Sequence, residues 1–206
     1  MQQRLDLIVG LGNPDPEYLL TRHNAGFWFV DALARSQGAR FSREKKLLGE
    51  TAEVEIAGTR VRLLKPQTYM NLSGQSVAAA LAYYKIPPEH LLVAYDEIDL
   101  PAGRVRLKLG GGHAGHNGVR NVIEHVGPDF WRIRIGVGHP GRGRKEKVIG
   151  HVLNRASADE EQLILEGIGQ ALEILPVLIE QGGQRAQNRL HTLKPGSSDA
   201  GEAKEP

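Results

Sequence analysis

The chain has 206 residues, of which 40% are hydrophobic and 24% are charged, as is typical of one globular domain with a substantial core. It contains no cysteine, which excludes disulfide bridges, thiolate zinc sites and cysteine nucleophiles and favours a reducing, cytoplasmic location. The first residues lead directly into an apolar strand pattern rather than a signal peptide. No stretch reaches the roughly 20 apolar residues that span a bilayer, so we expect no membrane association.

Charge is unevenly distributed, although the formal net charge is only +2. Residues 104–147 hold ten lysines and arginines against three acids, whereas residues 157–206 hold nine acids against four bases. The basic segment favours a polyanion such as nucleic acid as a partner. Chance clustering on a solvated surface explains the same pattern equally well.

Runs rich in valine, isoleucine and leucine predict β-strands that alternate with helical patterns. The predicted strands are 5–9, 52–56, 61–64, 91–95, 105–109 and 133–137, with a hairpin turn at 57–59. Apolar spacing predicts helices around 27–34, 77–84 and 119–126. A capping-box sequence at 157–160 predicts the start of a long C-terminal helix, which Pro176 should kink or divide.

This alternation predicts an α/β fold with a mixed, twisted β-sheet flanked by α-helices. We expect a single domain over residues 1–193. The remaining residues, 194–206, are too polar to pack and are predicted to form a disordered tail.

Three motifs of familiar enzyme classes are incomplete in this chain. The first strand runs into GLGNP at 10–14, which lacks the third glycine of a dinucleotide-binding loop. The strand that ends at Asp96 resembles a Walker B strand, but the glycine-rich stretch 110–118 lacks the lysine and hydroxyl residue of a phosphate-binding loop. Residues 74–78 resemble a nucleophile elbow that ends in alanine, and we interpret Ser73 as the N-cap of the next helix.

A set of polar residues lies in or beside the loops at the predicted strand and helix ends. Its members are Asn13, His23, Asn24, Asn71, Asp96, His116 and Asn117. A histidine beside a carboxylate can act as a general base, because the anion fixes the tautomer and stabilises the imidazolium. Asparagine amides can hold a water or a developing oxyanion, although each asparagine alone is also a common turn former. The combination predicts activation of water against a carbonyl.

His113 and His116 have the spacing of a pair of metal ligands. Two histidines in a glycine-rich loop, with no cysteine and no third ligand close in the sequence, make a weak metal site. We therefore expect no metal and no cofactor. A metal-dependent esterase that uses these two histidines is the least favoured hypothesis.

Four stretches of the chain, in order, resemble the bacterial peptidyl-tRNA hydrolases: VGLGNPDPEYLLTRHNAGFWFVDALA, KPQTYMNLSGQSV, VAYDEIDLPAGRVRLKLGGGHAGHNGVRNV and RIRIGVGHPG. The resemblance covers residues 5–191. It implies hydrolysis of the ester between a peptide, or an N-blocked amino acid, and the 3′-terminal ribose of tRNA. Such an enzyme recycles tRNA from peptidyl-tRNA released by stalled ribosomes. The resemblance also implies a monomeric, cytoplasmic, metal-independent hydrolase that contacts the acceptor stem and the 3′ CCA end.

Carried over motif by motif, the resemblance implies that His23 is the catalytic base and Asp96 its carboxylate partner. The residues expected to contact the substrate are Asn13, Tyr18, Met70, Asn71, His116 and Asn117. Those expected to bind tRNA are Lys108, Arg134 and Lys145, the last within the basic stretch RGRKEK at 142–147. Ala114 stands where the family commonly has glycine.

Lys108 and Arg134 each lie on the polar side of an alternating strand pattern, so we expect them to face one groove. The rival interpretation is an RNA-binding relative that keeps the fold without catalysis. The presence of His23, Asp96 and the three asparagines favours the enzyme.

Overall fold

The computed structural model describes residues 3–141 and 145–193. Its strands are β1 (Leu7–Gly10), β2 (Ser42–Glu44), β3 (Gly49–Ile56), β4 (Thr59–Pro66), β5 (Leu91–Glu97), β6 (Val105–Leu109) and β7 (Trp131–Gly136). They form one sheet in the order β2-β3-β4-β1-β5-β7-β6. The four central strands are parallel to one another, and β2, β3 and β6 join in antiparallel pairing at the two edges. The predicted mixed sheet is confirmed.

Helices cover both faces of this sheet. They are α1 (Ala25–Ser36), α2 (Ser73–Tyr84), α3 (Asn117–Val126), α4 (Lys145–Val152), α5 (Ala158–Gln181) and α6 (Gly183–Thr192). Successive strand side chains point to opposite faces, so Ile8 packs in the core under α1, α5 and α6, whereas Leu7 and Val9 pack in the core under α2 and α3. Burial on both faces explains why β1 reads as a continuous apolar run rather than an alternating one.

Two local predictions are confirmed by hydrogen bonds and backbone angles. The β3–β4 hairpin turns at Ala57 and Gly58, which both have positive φ (49° and 70°), the conformation that a tight two-residue hairpin requires. At the start of α5, the Ser157 hydroxyl accepts a hydrogen bond from the Glu160 backbone, and the Glu160 carboxylate accepts one from the Ser157 backbone. This is the predicted capping box.

Two predictions about helices need correction. Helix α5 is not divided at Pro176 but continues to Gln181 and ends at Gly182, so the predicted division was wrong, whereas the predicted kink stays a prediction. The neighbours Leu175 and Val177 are buried in the core, and this packing outweighs the one hydrogen bond that a proline removes. Ser73 is the first residue of α2 rather than its N-cap, and its hydroxyl donates to the Met70 carbonyl.

Helix α5 alone, within the part of the chain that the structure describes, is long and apolar enough to meet the length and composition of a membrane span. The apolar runs of the sequence did not indicate such a helix. Nine residues of α5 are buried in the protein, which is the pattern of a central core helix. No membrane span is inferred from it.

Residues 194–206 lie outside the described residues. The predicted tail, and with it the division of the chain at residue 193, therefore stays a prediction.

Candidate active site

A cleft of about 490 Å³, a volume typical of ligand sites, opens at the carboxyl ends of β1, β4 and β5. Open α/β sheets place their ligands at this edge. The polar residues that line the cleft include Asn13, His23, Tyr69, Asn71, Asp96, Glu97, His116 and Asn117. Its apolar lining includes Met70, Ile98, Val148, Ile149, Val152 and Leu153. The structure thus brings together every predicted catalytic and substrate-contacting residue except Tyr18.

The connection from β1 to α1 positions Asn13 and His23. A side chain at Gly10 would meet the Gly26 carbonyl at 2.1 Å, so glycine at position 10 allows the start of α1 to press directly against the end of β1. This close approach, not a pyrophosphate cradle, explains the glycine after the first strand. His23 lies in the 3₁₀ turn Arg22–Asn24, immediately before α1.

The fully buried Asn24 holds the other side of this connection. Its side-chain oxygen accepts from the Asn13 backbone N–H at 2.8 Å, and its amide nitrogen donates to the Asn13 carbonyl at 2.9 Å. These two reciprocal bonds pin the loop after β1 to the turn that carries His23. Asn24 belongs to the set of polar residues identified in the sequence, but it lies behind the cleft and does not line it.

Two histidines share one buried carboxylate at the centre of the cleft. Asp96, at the end of β5, is 3% exposed. His23 Nδ1 lies 2.9 Å from both Asp96 oxygens, and His116 Nε2 lies 2.8 Å from Oδ1. His116 Nδ1 accepts the Val119 backbone N–H at the start of α3, so its ring proton is on Nε2 and is donated to Asp96. His23 correspondingly donates through Nδ1, which leaves its Nε2 as a proton acceptor.

The electrostatics of this trio follow from its burial. Burial alone lowers the pKa of His23, but the negative charge of Asp96 and the hydrogen bond to it outweigh burial, so the pKa is raised overall. For Asp96, burial raises the pKa, but the electrostatic interactions with His23 and His116 and the hydrogen bonds from both rings hold it well below its usual range. Asp96 is therefore a permanent anion at physiological pH.

Two asparagine amides have their orientation fixed by neighbours. Asn13 Oδ1 accepts the Met70 backbone N–H at 2.8 Å, and Asn117 Oδ1 accepts from the Arg120 guanidinium at 2.6 Å. Each bond occupies the oxygen and leaves the amide NH₂ group as a donor. Because both residues line the cleft, they can offer N–H groups to a carbonyl or an oxyanion.

The potential metal-ligand cluster differs from the pair weighed in the sequence. Ligand atoms of His23, Asp96 and His116 lie within 4.8 Å of one another, whereas His113 Nδ1 accepts the Gly115 backbone N–H. The histidine–carboxylate distances of 2.8–2.9 Å are those of direct hydrogen bonds. Two ligands around a tetrahedral zinc, each 2.0–2.1 Å from the ion, would be separated by about 3.3 Å. His23, Asp96 and His116 are therefore arranged as a hydrogen-bonded trio, in which each histidine N–H donates to the carboxylate.

Tyr18 lies outside the lining of the cleft and is half-buried. A hydrogen bond to Glu17 and the negative charge of that residue raise the pKa of the Tyr18 phenol, with Tyr69 among its other electrostatic neighbours. Tyr69 itself lines the cleft and is exposed. The structure thus places Tyr18 outside the cleft, with Tyr69 of the cleft lining as one of its electrostatic neighbours.

The predicted basic face exists, but not all of its cations are free. In the β6–β7 pairing, Arg106 lies opposite Arg134 and Lys108 opposite Arg132, so all four side chains share one face of the sheet. Arg132 is buried, and its guanidinium donates to the carbonyls of the 111–112 loop and of Pro128. It serves the fold.

Arg134 and Lys108 differ in whether their charge is paired with a carboxylate. Arg134 forms an ion pair of 2.9 Å with the buried carboxylate of Glu97, while a quarter of its side chain stays exposed. Lys108 is exposed and makes no ion pair with any residue in the described ranges. Lys145 begins α4, and its side chain lies outside what the structure describes.

Sequence reasoning missed helix α4 and its part in the cleft. Val148, Ile149, Val152 and Leu153 form much of the apolar lining, and their spacing is that of one helix face. This signal was present but short and followed a highly charged stretch. Arg22, which fastens α4 to the turn of His23, was also missed, since nothing in a sequence indicates that an arginine is buried.

Comparisons with known proteins agree with this geometry. A family model described as peptidyl-tRNA hydrolase matches residues 7–198. The peptidyl-tRNA hydrolase of Xanthomonas euvesicatoria pv. vesicatoria is 53% identical over 191 residues, which are 92% of this chain and 98% of that protein. That of Vibrio parahaemolyticus is 49% identical over 94% of this chain and 99% of that protein. The crystal structure of peptidyl-tRNA hydrolase from Acinetobacter baumannii matches with a TM-score of 0.90 at 47% identity, over 95% of this chain and 99% of that one.

Proposed function

The chain belongs to the peptidyl-tRNA hydrolase family, and from this premise we propose that His23, oriented by Asp96, is the general base of the reaction. The chain is an enzyme that hydrolyses peptidyl-tRNA. The observation that carries the proposal is the bond from His23 Nδ1 to both oxygens of the buried Asp96, because it leaves Nε2 ready to accept a proton at the cleft.

In the proposed reaction, His23 Nε2 takes a proton from a water as the water oxygen bonds to the ester carbonyl carbon. The resulting tetrahedral oxyanion collapses and breaks the bond to the ribose 3′ oxygen. The imidazolium returns its proton to that leaving oxygen. General-base catalysis of this kind contributes about 10²–10⁴-fold to the rate.

Asp96 and His116 support the base. The fixed negative charge of Asp96 stabilises the His23 imidazolium that forms when the water is deprotonated. His116 donates the second hydrogen bond to Asp96, so the carboxylate is held in place from both sides. We assign His116 to this positioning of Asp96 within the cleft.

The amides of Asn13 and Asn117 are proposed to donate to carbonyl oxygens of the substrate, one of them to the developing oxyanion. Asn71 also lines the cleft but is exposed, which suits a contact with the peptide or the CCA end. Met70 and Tyr18 would border the channel for the peptide and the acceptor end. These roles account for the polar residues that the cleft presents.

The exposed cations on β6 and β7 are proposed to bind the tRNA backbone near the acceptor stem. Lys108 has no ion-pair partner among the residues that the structure describes, and Arg134 keeps an exposed portion despite its bond to Glu97. Lys145, which begins the helix that lines the cleft, is proposed as a third contact. Such contacts with phosphates orient a nucleic acid without reading its sequence.

We predict that Lys108→Ala mainly raises KM for peptidyl-tRNA and reduces the slope of log K against log salt by about one per lost phosphate contact, as for DNA. The Arg134→Ala variant should do the same. Because it also strands the buried Glu97 charge, it should be measured alongside the double variant Arg134→Ala/Glu97→Gln.

Arg43→Ala, which removes an exposed cation from the opposite edge of the sheet, is the matched control and should keep the wild-type KM. A minimal ester of N-acetyl-amino acid and adenosine should not respond to loss of Lys108. Equal losses on this ester and on full peptidyl-tRNA would contradict a role in tRNA binding.

We further predict that the reaction needs no transition metal, because the trio at the cleft shares protons among its members. Enzyme dialysed against a chelator and returned to a buffer with Mg²⁺ for tRNA folding should release peptide from N-acetyl-aminoacyl-tRNA at the wild-type rate. Loss of activity that Zn²⁺ or Mn²⁺ restores would instead support a metal at His23, Asp96 and His116.

In the cell, this reaction is proposed to recycle tRNA from peptidyl-tRNA released by stalled ribosomes, in the cytoplasm and by a monomeric enzyme. The alternative of a non-catalytic RNA-binding relative finds no support in the cleft, since the histidine–aspartate pair and the oriented amides are all in place.

A further inference from the structure

Arg22, next to the proposed base, is a buried cation that contacts helix α4. Its side chain is 9% exposed, and burying a charge is costly unless the group is paired and hydrogen-bonded. Within the described residues its Nε is buried without a hydrogen-bond partner, so the two Nη groups of Arg22 make its contacts. Its Nη1 donates to the carbonyls of His151, Asn154 and Arg155 at 2.9–3.3 Å, and its Nη2 pairs with Glu160 at 2.8 Å. The Arg22 side chain thus makes four polar contacts with residues 151–160, behind the cleft.

These acceptors lie at the carboxyl end of α4 and in the segment that follows it. The last carbonyls of a helix lack partners within the helix and carry its partial negative charge. A guanidinium placed there supplies both the missing donors and a compensating positive charge. Arg22 therefore closes the end of α4 from outside the helix.

The backbone makes the same connection. The Arg22 N–H donates to the Asn154 carbonyl, and Thr21 forms an isolated antiparallel bridge with Arg155. Among the described elements, α4 has its main packing partner in the turn of residues 22–24, the turn that carries His23. Among the described residues, α4 is also held by a hydrogen bond from His151 Nε2 to the Val137 carbonyl at 3.1 Å.

We propose that Arg22 is a positioning residue that sets the apolar wall of the cleft against the catalytic base. The wall is the face of α4 formed by Val148, Ile149 and Val152, together with Leu153 directly after the helix. The inference rests on the proposed function of His23, because it concerns the position of the wall relative to that base. Arg22 does not touch the substrate. It acts by fixing the width of the cleft between the wall and His23.

Two substitutions of Arg22 separate its stem from its donors. Arg22→Met keeps the apolar stem and removes every donor, whereas Arg22→Lys keeps a cation but not the planar fork that reaches Glu160 through Nη2 and the three carbonyls through Nη1. Arg155→Met is the matched control. Arg155 belongs to the same segment, and its guanidinium pairs with Glu161 in solvent.

For Arg22→Met we expect KM for N-acetyl-aminoacyl-tRNA to rise by about tenfold or more, because the charge-assisted hydrogen bonds that hold the wall in place are lost, with a smaller change in kcat. The acid limb of the pH–rate profile should stay in place, because the His23–Asp96 bond is untouched. Amide hydrogen exchange should quicken selectively in 145–155. Arg22→Lys should recover part of the KM, and Arg155→Met should match the wild type.

Wild-type KM and wild-type exchange of α4 in Arg22→Met would overturn the inference. So would a uniform loss of stability, with faster exchange throughout the sheet and a proportional fall in active enzyme at unchanged KM, since that result describes a purely structural residue. The exchange measurement does not depend on the role of His23. If His23→Ala kept full activity, the proposed function would fail while the tie between Arg22 and α4 could still be read.

Discussion

His23→Ala is expected to lower kcat for peptidyl-tRNA by about 10²–10⁴-fold while leaving the affinity for tRNA nearly unchanged. The size of the loss is that of a general base, and it falls on kcat because His23 acts on the water rather than on the phosphates. The cations on β6 and β7 lie on another part of the sheet and are untouched by the change. The measurements are single-turnover release of peptide and the Kd for deacylated tRNA.

The fold should survive this substitution. Asp96 keeps the hydrogen bond from His116, so its carboxylate is not left without a partner. Asn24 continues to hold the loop after β1. His125→Ala, which removes an exposed histidine from α3, is the matched control and should retain wild-type kinetics. Near-wild-type turnover by His23→Ala would remove this residue from the mechanism.

The convergence of the site residues could be predicted from sequence because parallel strands bring their carboxyl ends to one edge. Asn13 follows β1, Met70 and Asn71 follow β4, and Asp96 ends β5. These positions are far apart in the chain, since His23 and Asp96 are separated by 73 positions, yet the strand pattern and the resemblance indicated one cleft. The period of the apolar residues also located six of the seven strands to within a few residues.

The contacts that each charged side chain makes in the folded protein could not be predicted in this way. Arg132 and Arg134 have the same alternation in sequence, but one is buried against loop carbonyls and the other pairs with Glu97. Arg104 and Arg106, which contributed to the basic segment, both donate to the carbonyl of His191 at the end of α6. A charge count sees all four as free cations, whereas tertiary contacts decide which remain for tRNA.

Helix α4 and strand β2 were missed for a related reason. Strand β2 has three residues, too few for an alternating pattern. Helix α4 has eight residues, which is short for a helix in isolation, and its end is completed by Arg22 from a distant part of the chain. Local sequence lacks the information that such a tertiary cap supplies.

Asp96→Asn is expected to lower kcat/KM by about 10²–10⁴-fold and to shift its pH dependence. Asp96 accepts one hydrogen bond from the N–H of His23 and one from the N–H of His116. An asparagine can accept only through its oxygen, so its NH₂ group would face one of these N–H donors. One histidine must then rotate or change tautomer, and the base loses its fixed orientation.

The direction of the pH shift follows from the charge. A general base is active when neutral, and the Asp96 charge raises the pKa of His23, so the wild-type rate should fall as pH drops below that raised value. Removing the charge lowers the pKa, and the acid limb of kcat/KM should therefore move to lower pH. Glu97→Gln removes a buried charge from the next residue and leaves the His23–Asp96 bond intact, so its acid limb should stay in place. An acid limb at the wild-type position in Asp96→Asn would show that the two residues are not coupled.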